Sequence, residues 1–206
     1  MSRQQITVRS ADPVHADGLA FARYVGMASE GQFRILLGPR VNDILARAFS
    51  KPRHDLSYEH TLFAELDGEI VGMASGYTAE QHRQSSNEAL ERAAGGRTLR
   101  MACMFALATP ILRFIHTYDQ DDFYLQFLAV NESCRGQGIG SLLIEAMEAR
   151  ARSHGSTRFA LDVGAKNAGA RRLYERCGFL VSARWPKLRF LPPMMWRMIK
   201  SLGSPR

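Results

Sequence analysis

Cysteine is scarce in this chain. Its 206 residues hold three, Cys103, Cys134 and Cys177, and none stands in a Cys-x-x-Cys spacing. Neither a disulfide framework nor a zinc site is expected from thiols so few and so spaced, and a cytoplasmic location suits them. Long uncharged apolar runs are also missing. The most apolar window, Leu99 to Tyr118, contains Arg100, Arg113 and His116 and is interrupted by Pro110. A spanning helix needs about 20 largely uncharged apolar residues, so no membrane partner is expected. The opening Met-Ser-Arg-Gln-Gln lacks the apolar core of a signal peptide. No internal repeat, low-complexity tract, zinc-finger or ribonucleoprotein motif is present.

Apolar residues make up 46% and charged residues 23%, which places the chain with ordinary globular proteins rather than disordered ones. The length suits a single domain over residues 1–206 with a sizeable core. The net charge of +7 admits three readings: solvated surface cations, nucleic-acid binding, or recognition of a phosphate-bearing ligand. With no nucleic-acid motif to support it, nucleic acid is not the expected partner.

Periodicity gives a mixed order of elements. A first strand covers Ile6 to Arg9, and Asp12-Pro13 opens a helix running to about Tyr24. A second helix covers Val41 to Phe49. Thr61 to Leu66 and Glu69 to Tyr77 form a hairpin through Asp67-Gly68. Asn87 to Ala94 and Arg97 to Tyr118 read as helices. Ser141 to Ser153 carries an apolar stripe with Glu148 and Arg152 on its wet face. A strand covers Arg158 to Val163, a helix about Ala168 to Cys177, and closing strands Phe179 to Ala183 and Trp196 to Lys200. This order fits an α/β (α+β) domain of three layers, with a central mixed, mostly antiparallel sheet flanked by helices.

Phe123 to Gly140 carries the most chemical information. An apolar strand runs to Val130, a polar turn follows, and Arg135-Gly136-Gln137-Gly138-Ile139-Gly140 leads into the helix near Ser141. Glycines let backbone approach a phosphate, and the first amides of a helix point outward without partners. Together with the helix dipole they make an anion site. No Lys lies between Val130 and Glu145, which excludes a P-loop, and Gly-x-Gly-x-Gly has the wrong spacing for a dinucleotide fingerprint, although Asp162 lies in range.

The motif Arg-x-x-Gly-x-Gly after a strand ending Leu-Ala-Val resembles the acetyl-CoA-binding signature of the GNAT N-acetyltransferase superfamily. A second segment strengthens the resemblance: Asn167, Ala170, Leu173-Tyr174-Glu175 and Gly178-Phe179 repeat that family's pattern beyond the cofactor loop. The two motifs define a cofactor-binding core at 123–183. Against this family the stretch at about 78–122 is an insertion, and it reads as extra core or a dimer surface before it reads as a lid.

The resemblance implies an N-acetyltransferase that moves an acetyl group from acetyl-CoA to a primary amine by direct attack. It implies cofactor contacts from Leu128, Ala129, Val130, Arg135, Gly136, Gln137, Gly138, Ile139, Gly140, Ser141, Asn167 and Tyr174. Tyr174 would be the general acid for the leaving thiolate, although core packing also explains it, and Asn167 reads equally as a helix cap. A lysine-like acceptor with pKa ~10.4 is rarely neutral at pH 7, and using the neutral form costs ~4–5 kcal/mol. On the strand where relatives carry a base, alternation presents Tyr124 and Gln126, which can order a water but are poor bases. The acceptor is a small-molecule or peptide amine, and relatives' pairing leaves a homodimer open. Two other readings stand beside this one: a non-catalytic acyl-CoA-binding or sensor module, and a basic nucleic-acid-binding protein.

Overall fold

A computed structural model describes residues 6–95, 119–188 and 190–203. The chain runs β1 (Ile6–Ser10), α1 (His15–Ala28), α2 (Gln32–Leu37), α3 (Val41–Phe49), β2 (Thr61–Leu66), β3 (Glu69–Thr78), α4 (Ala79–Arg83), α5 (Glu88–Ala94), β4 (Asp122–Val130), α6 (Ile139–Ser153), β5 (Arg158–Gly164), α7 (Ala168–Arg176), β6 (Leu180–Trp185) and β7 (Met195–Ser201). The strands form one sheet in the order β1-β2-β3-β4-β5-β7-β6. Every neighbouring pair is antiparallel except β4 and β5. The expected mixed, mostly antiparallel sheet flanked by helices is therefore found.

Each face of the sheet buries a core of its own. On one face Leu143, Ile144, Met147 and Ala151 of α6 pack with Phe123, Leu125, Phe159, Leu161 and Tyr174. On the other, Phe21, Tyr24 and Val25 of α1 and Leu45 and Phe49 of α3 pack against Phe63 and Met73. Gly18 lets α1 and α3 approach closely: a Cβ there would stand 2.8 Å from the Ala46 carbonyl oxygen.

Most boundaries agree with the sequence, and the departures have local causes. The first helix starts at His15 rather than Asp12, because the Asp12 amide donates to the Asp17 carboxylate (2.8 Å) instead of Asp12 capping the helix. Asp17 is in turn held by Arg9 at 2.7 and 2.9 Å. The hairpin turn at Asp67-Gly68 has φ of +52° and +84°, the left-handed pair that such a turn requires. In the insertion, α4 was not expected; Thr78 and Gln81 form a reciprocal capping box at its start. Leu90 and Ala94 of α5 join the core beside α3, so this part of the insertion is added core. The helix expected over Arg97 to Tyr118 lies outside the described residues, as does Cys103.

Candidate functional site

β4 and β5 run side by side only from Asp122↔Arg158 to Leu125↔Leu161. Beyond that point β5 keeps its pairing with β7 to Gly164, while β4 continues to Val130 paired with β3 alone. Among the described residues the backbone of Gln126–Val130 is thus unpaired on the β5 side, and the strand passes from buried to half-buried at Gln126. Two parallel strands that part in mid-sheet leave a wedge lined by free amides and carbonyls, and such groups need partners.

The parting coincides with a bulge. The register steps from Gly76↔Leu125 to Ser75↔Phe127, which leaves Gln126 as an extra residue in β4. Phe123 and Leu125 pack on the α6 side, and so do Leu128 and Val130, whereas Phe127 and Ala129 face α1 and α3. Strict alternation, which put Tyr124 and Gln126 on one face, therefore ends at Gln126. Its Oε1 is buried and has no hydrogen-bond partner among the described residues. Tyr124 packs with Tyr77 and Ala160 on the face opposite α6.

Beside the point of parting, Tyr124 donates its hydroxyl to Asp162 Oδ2 (3.0 Å). Arg197 of β7 binds both oxygens of that carboxylate, Nε to Oδ1 at 2.9 Å and the terminal nitrogen to Oδ2 at 2.7 Å. All three side chains are buried. The sequence reading noticed Asp162 for its distance from the glycines but missed this network, because its pairing with Arg197 depends on β5–β7 register.

At the open end of the wedge lies the glycine loop. A short turn, Glu132–Cys134, leads to Arg135, which is exposed and 3.3 Å from Glu132. Gly136 and Gly138 have φ of +80° and +83°, and a Cβ on either would meet nothing within 4 Å. Gly138 caps α6, which begins two residues earlier than expected. Among the described residues, the amides of Gly136, Gln137, Gly138, Ile139, Gly140 and Ser141 donate to no backbone acceptor. Gly140 serves a different purpose: a Cβ there would stand 3.0 Å from Leu173 Cδ2, so the glycine lets α7 lie against the start of α6. On the other side of the loop Tyr24 donates to Asn131 Oδ1 (2.9 Å) and Arg23 lies over the Tyr24 ring, a clamp from α1 with no short-range signal in the sequence.

Asn167 caps α7, its Oδ1 accepting from the Ala170 amide at 3.0 Å. Tyr174 is buried against Phe179, ring centroids 5.9 Å apart. Burial, with a smaller contribution from neighbouring Cys177, pushes its phenol well above the ordinary range. Its hydroxyl makes no protein hydrogen bond among the described residues, so it stays protonated and free to donate. Cys134 and Cys177 are free thiols, and no group of metal ligands is found among the described residues.

The fold that carries this wedge is shared with known proteins. The model of the acetyltransferase (GNAT) family matches residues 33–179. This chain belongs to the GNAT family. An N-acetyltransferase of Bacillus subtilis (strain 168), YdgE, described as uncharacterized, is 28% identical over 100 residues, which is 48% of this chain and 60% of that protein. The chain thus matches about three fifths of that relative's length. A solved acetyltransferase is similar over 96% of this chain and 100% of its own, at 28% identity and a TM-score of 0.68. An N-acetyltransferase from Staphylococcus aureus Mu50 shares the fold over 94% and 99% of the two chains, with a TM-score of 0.64 and 20% identity. GNAT members generally use acetyl-CoA, and the residues here fit it: unpaired strand backbone suits its amide-bearing pantetheine arm, and the loop from Gly136 to Ser141 suits its pyrophosphate. Among the described residues no helix is long and apolar enough to cross a membrane.

Proposed function

We propose that this GNAT chain is an N-acetyltransferase that moves an acetyl group from acetyl-CoA to a primary amine of a small molecule or peptide. The observation that carries the reading is the parting of β4 from β5 after Leu125↔Leu161, continuous with the unpartnered amides of Gly136–Ser141. Bound acetyl-CoA supplies an acetyl group activated as a thioester. The backbone of Gln126 to Val130 takes the pantetheine arm as an added strand. Amides at the start of α6 hold the pyrophosphate, with Arg135 beside them and Asn167 across the wedge.

The amide of Leu128 polarises the thioester carbonyl where negative charge develops. The buried, unpartnered Oε1 of Gln126 accepts a hydrogen bond from the attacking amine, orienting its lone pair, while Tyr124 and Asp162 keep the floor of the wedge rigid. Solvent takes the amine's proton, since neither Tyr124 nor Gln126 is a base at neutral pH. Tyr174 gives its proton to the departing sulfur and takes one back from solvent. With a thiol near pKa 8.5 and a phenol above 10, that transfer is uphill by at least ~2 kcal/mol, which an acid acting in concert with bond cleavage can bear.

Calorimetric titration with acetyl-CoA and coenzyme A tests the cofactor site, with Gly138→Trp as its control. The wild type should bind both, and the variant should not, because a side chain at φ +83° distorts the amide cradle. Thiol release with a panel of amines then tests transfer, and Tyr174→Phe should slow it by about a hundredfold with coenzyme A affinity unchanged. Cofactor binding without transfer to any amine would favour a sensor. Steeply salt-dependent binding to DNA or RNA without coenzyme A binding would refute the proposal.

A further inference from the structure

The loop from β6 to β7 turns its apolar side chains outward. Phe190 is 81% exposed, Met194 57%, Leu188 54% and Leu191 38%, a denser group than the other exposed apolar side chains described on α1, α2 and β6. The loop is held in this shape from within. The Arg184 guanidinium donates to the carbonyls of Pro186 (3.3 Å), Leu188 (3.3 Å) and Leu191. The Leu191 amide donates to the Leu188 carbonyl (3.1 Å) and the Met194 amide to the Trp185 carbonyl (2.8 Å). Backbone groups are thus satisfied inside the loop while its leucines and phenylalanine face solvent. Phe190 is four-fifths exposed, so the loop offers a side chain that the protein itself leaves largely uncovered.

Charge completes the description. No Asp or Glu follows Glu175, whereas Arg184, Lys187 and Arg189 fall within the loop's sequence or at its base. The Ala165 amide bonds the Met194 carbonyl (2.9 Å), which sets exposed Lys166 next to the same loop. We infer that this loop docks the protein on an anionic membrane surface, with Phe190 and Leu188 entering the headgroup layer and exposed Lys187 and Lys166 facing lipid phosphates. A peptide partner of so exposed a side chain would have to supply a groove, and a second copy of the chain would bring another net charge of +7 to the contact. Nucleic acid would match the cations but has no use for Leu188, Leu191 and Met194. That no helix among the described residues is long and apolar enough to cross a membrane does not bear on a surface contact, although the sequence leads one to expect no membrane partner. The inference is independent of acetyl transfer.

The chain's two tryptophans, Trp185 and Trp196, flank this loop and report on it. The experiment mixes the full chain with vesicles of phosphatidylcholine, alone or with phosphatidylglycerol, and reads cosedimentation and tryptophan emission. Partitioning should be at least about tenfold stronger on the anionic vesicles, with a blue shift. Phe190→Ser with Leu188→Ser should lower it about tenfold or more, and Lys187→Glu several-fold. All three positions are on the surface, so thermal unfolding should be unchanged. Equal, weak partitioning on both vesicles would overturn the inference. So would full binding by the double serine variant, which would show plain adsorption of a basic protein, or a dimer that the same variant dissociates.

Discussion

Asp162 and Arg197 show how a single buried pair can serve two ends. Their register partnership joins β5 to β7, and the hydroxyl of Tyr124 ties the same carboxylate to β4 at the last point where β4 and β5 are paired. One carboxylate therefore fastens three strands where the wedge opens. Burying two charges costs desolvation energy that their attraction only roughly offsets, so the pair itself is a weak source of stability. Removing one member is another matter. Asp162→Ala should destabilise the protein by about 3–5 kcal/mol, because it removes the carboxylate that binds the buried Arg197 guanidinium at two points. Asp162→Leu combined with Arg197→Met should recover most of that loss. Urea denaturation of the three proteins measures both effects, and a single variant within about 1 kcal/mol of wild type would refute the account.

At the scale of elements, the bulge in β4 fixes what faces the wedge, and Gly76 makes it possible. A Cβ at Gly76 would lie 2.7 Å from Phe123 Cε1 and 2.8 Å from the Tyr124 carbonyl oxygen. The second atom is backbone and cannot move aside. Gly76→Ala should therefore cost about 1–3 kcal/mol by overpacking. Gly140→Ala makes the contrast, since its Cβ comes close to nothing but the flexible end of Leu173 (3.0 Å), which can turn aside, with Val130 at an ordinary 4.0 Å, and alanine gains up to about 1 kcal/mol of helix propensity. Its melting temperature should stay close to wild type while that of Gly76→Ala falls, and the reverse order would be decisive against this reading. The sequence announced most of the helices and the hairpin because their signals are local: an apolar stripe on α6, Asp67-Gly68 between two strands, glycines before a helix; α2, set between Gly31 and Gly38, was not among them. It could not announce the bulge, because Phe123 to Val130 is apolar on both faces and period-two patterning vanishes when both faces are buried. Thr78-Ala79-Glu80-Gln81 did spell a capping box, and α4 could have been read from it. The clamp of Tyr24 on Asn131 and the Asp162–Arg197 pair join residues far apart in sequence, which no local pattern records.

The whole molecule carries a pH dependence set by histidines that are buried on folding. His60 sits beneath Tyr77, ring centroids 5.9 Å apart, and burial pushes its pKa from 6.5 down to about 4. His54 is lowered too, first by burial, which outweighs the hydrogen bond its ring donates to the Ala48 carbonyl. In the folded state these rings stay neutral where an unfolded chain would already bind protons. Stability is accordingly full above pH 6.5 and falls as pH drops from there toward 4, below which the folded protein takes up the His60 proton as well. For His60 the loss across that window is on the order of 3 kcal/mol at 1.36 kcal/mol per pKa unit. Asp17 acts lower on the scale: burial alone would raise its pKa, but the hydrogen bond from Arg9 and that from the Asp12 amide outweigh burial and lower it, so its contribution disappears only as pH falls below the usual carboxylate range. The two windows can be separated by His60→Phe, which keeps an aromatic ring against Tyr77 and removes the titration. Urea midpoints measured from pH 7 to pH 4 should fall more shallowly for the variant than for wild type, with the gap closing as the wild type loses its advantage. Parallel curves across that interval would show that His60 is not held neutral in the fold.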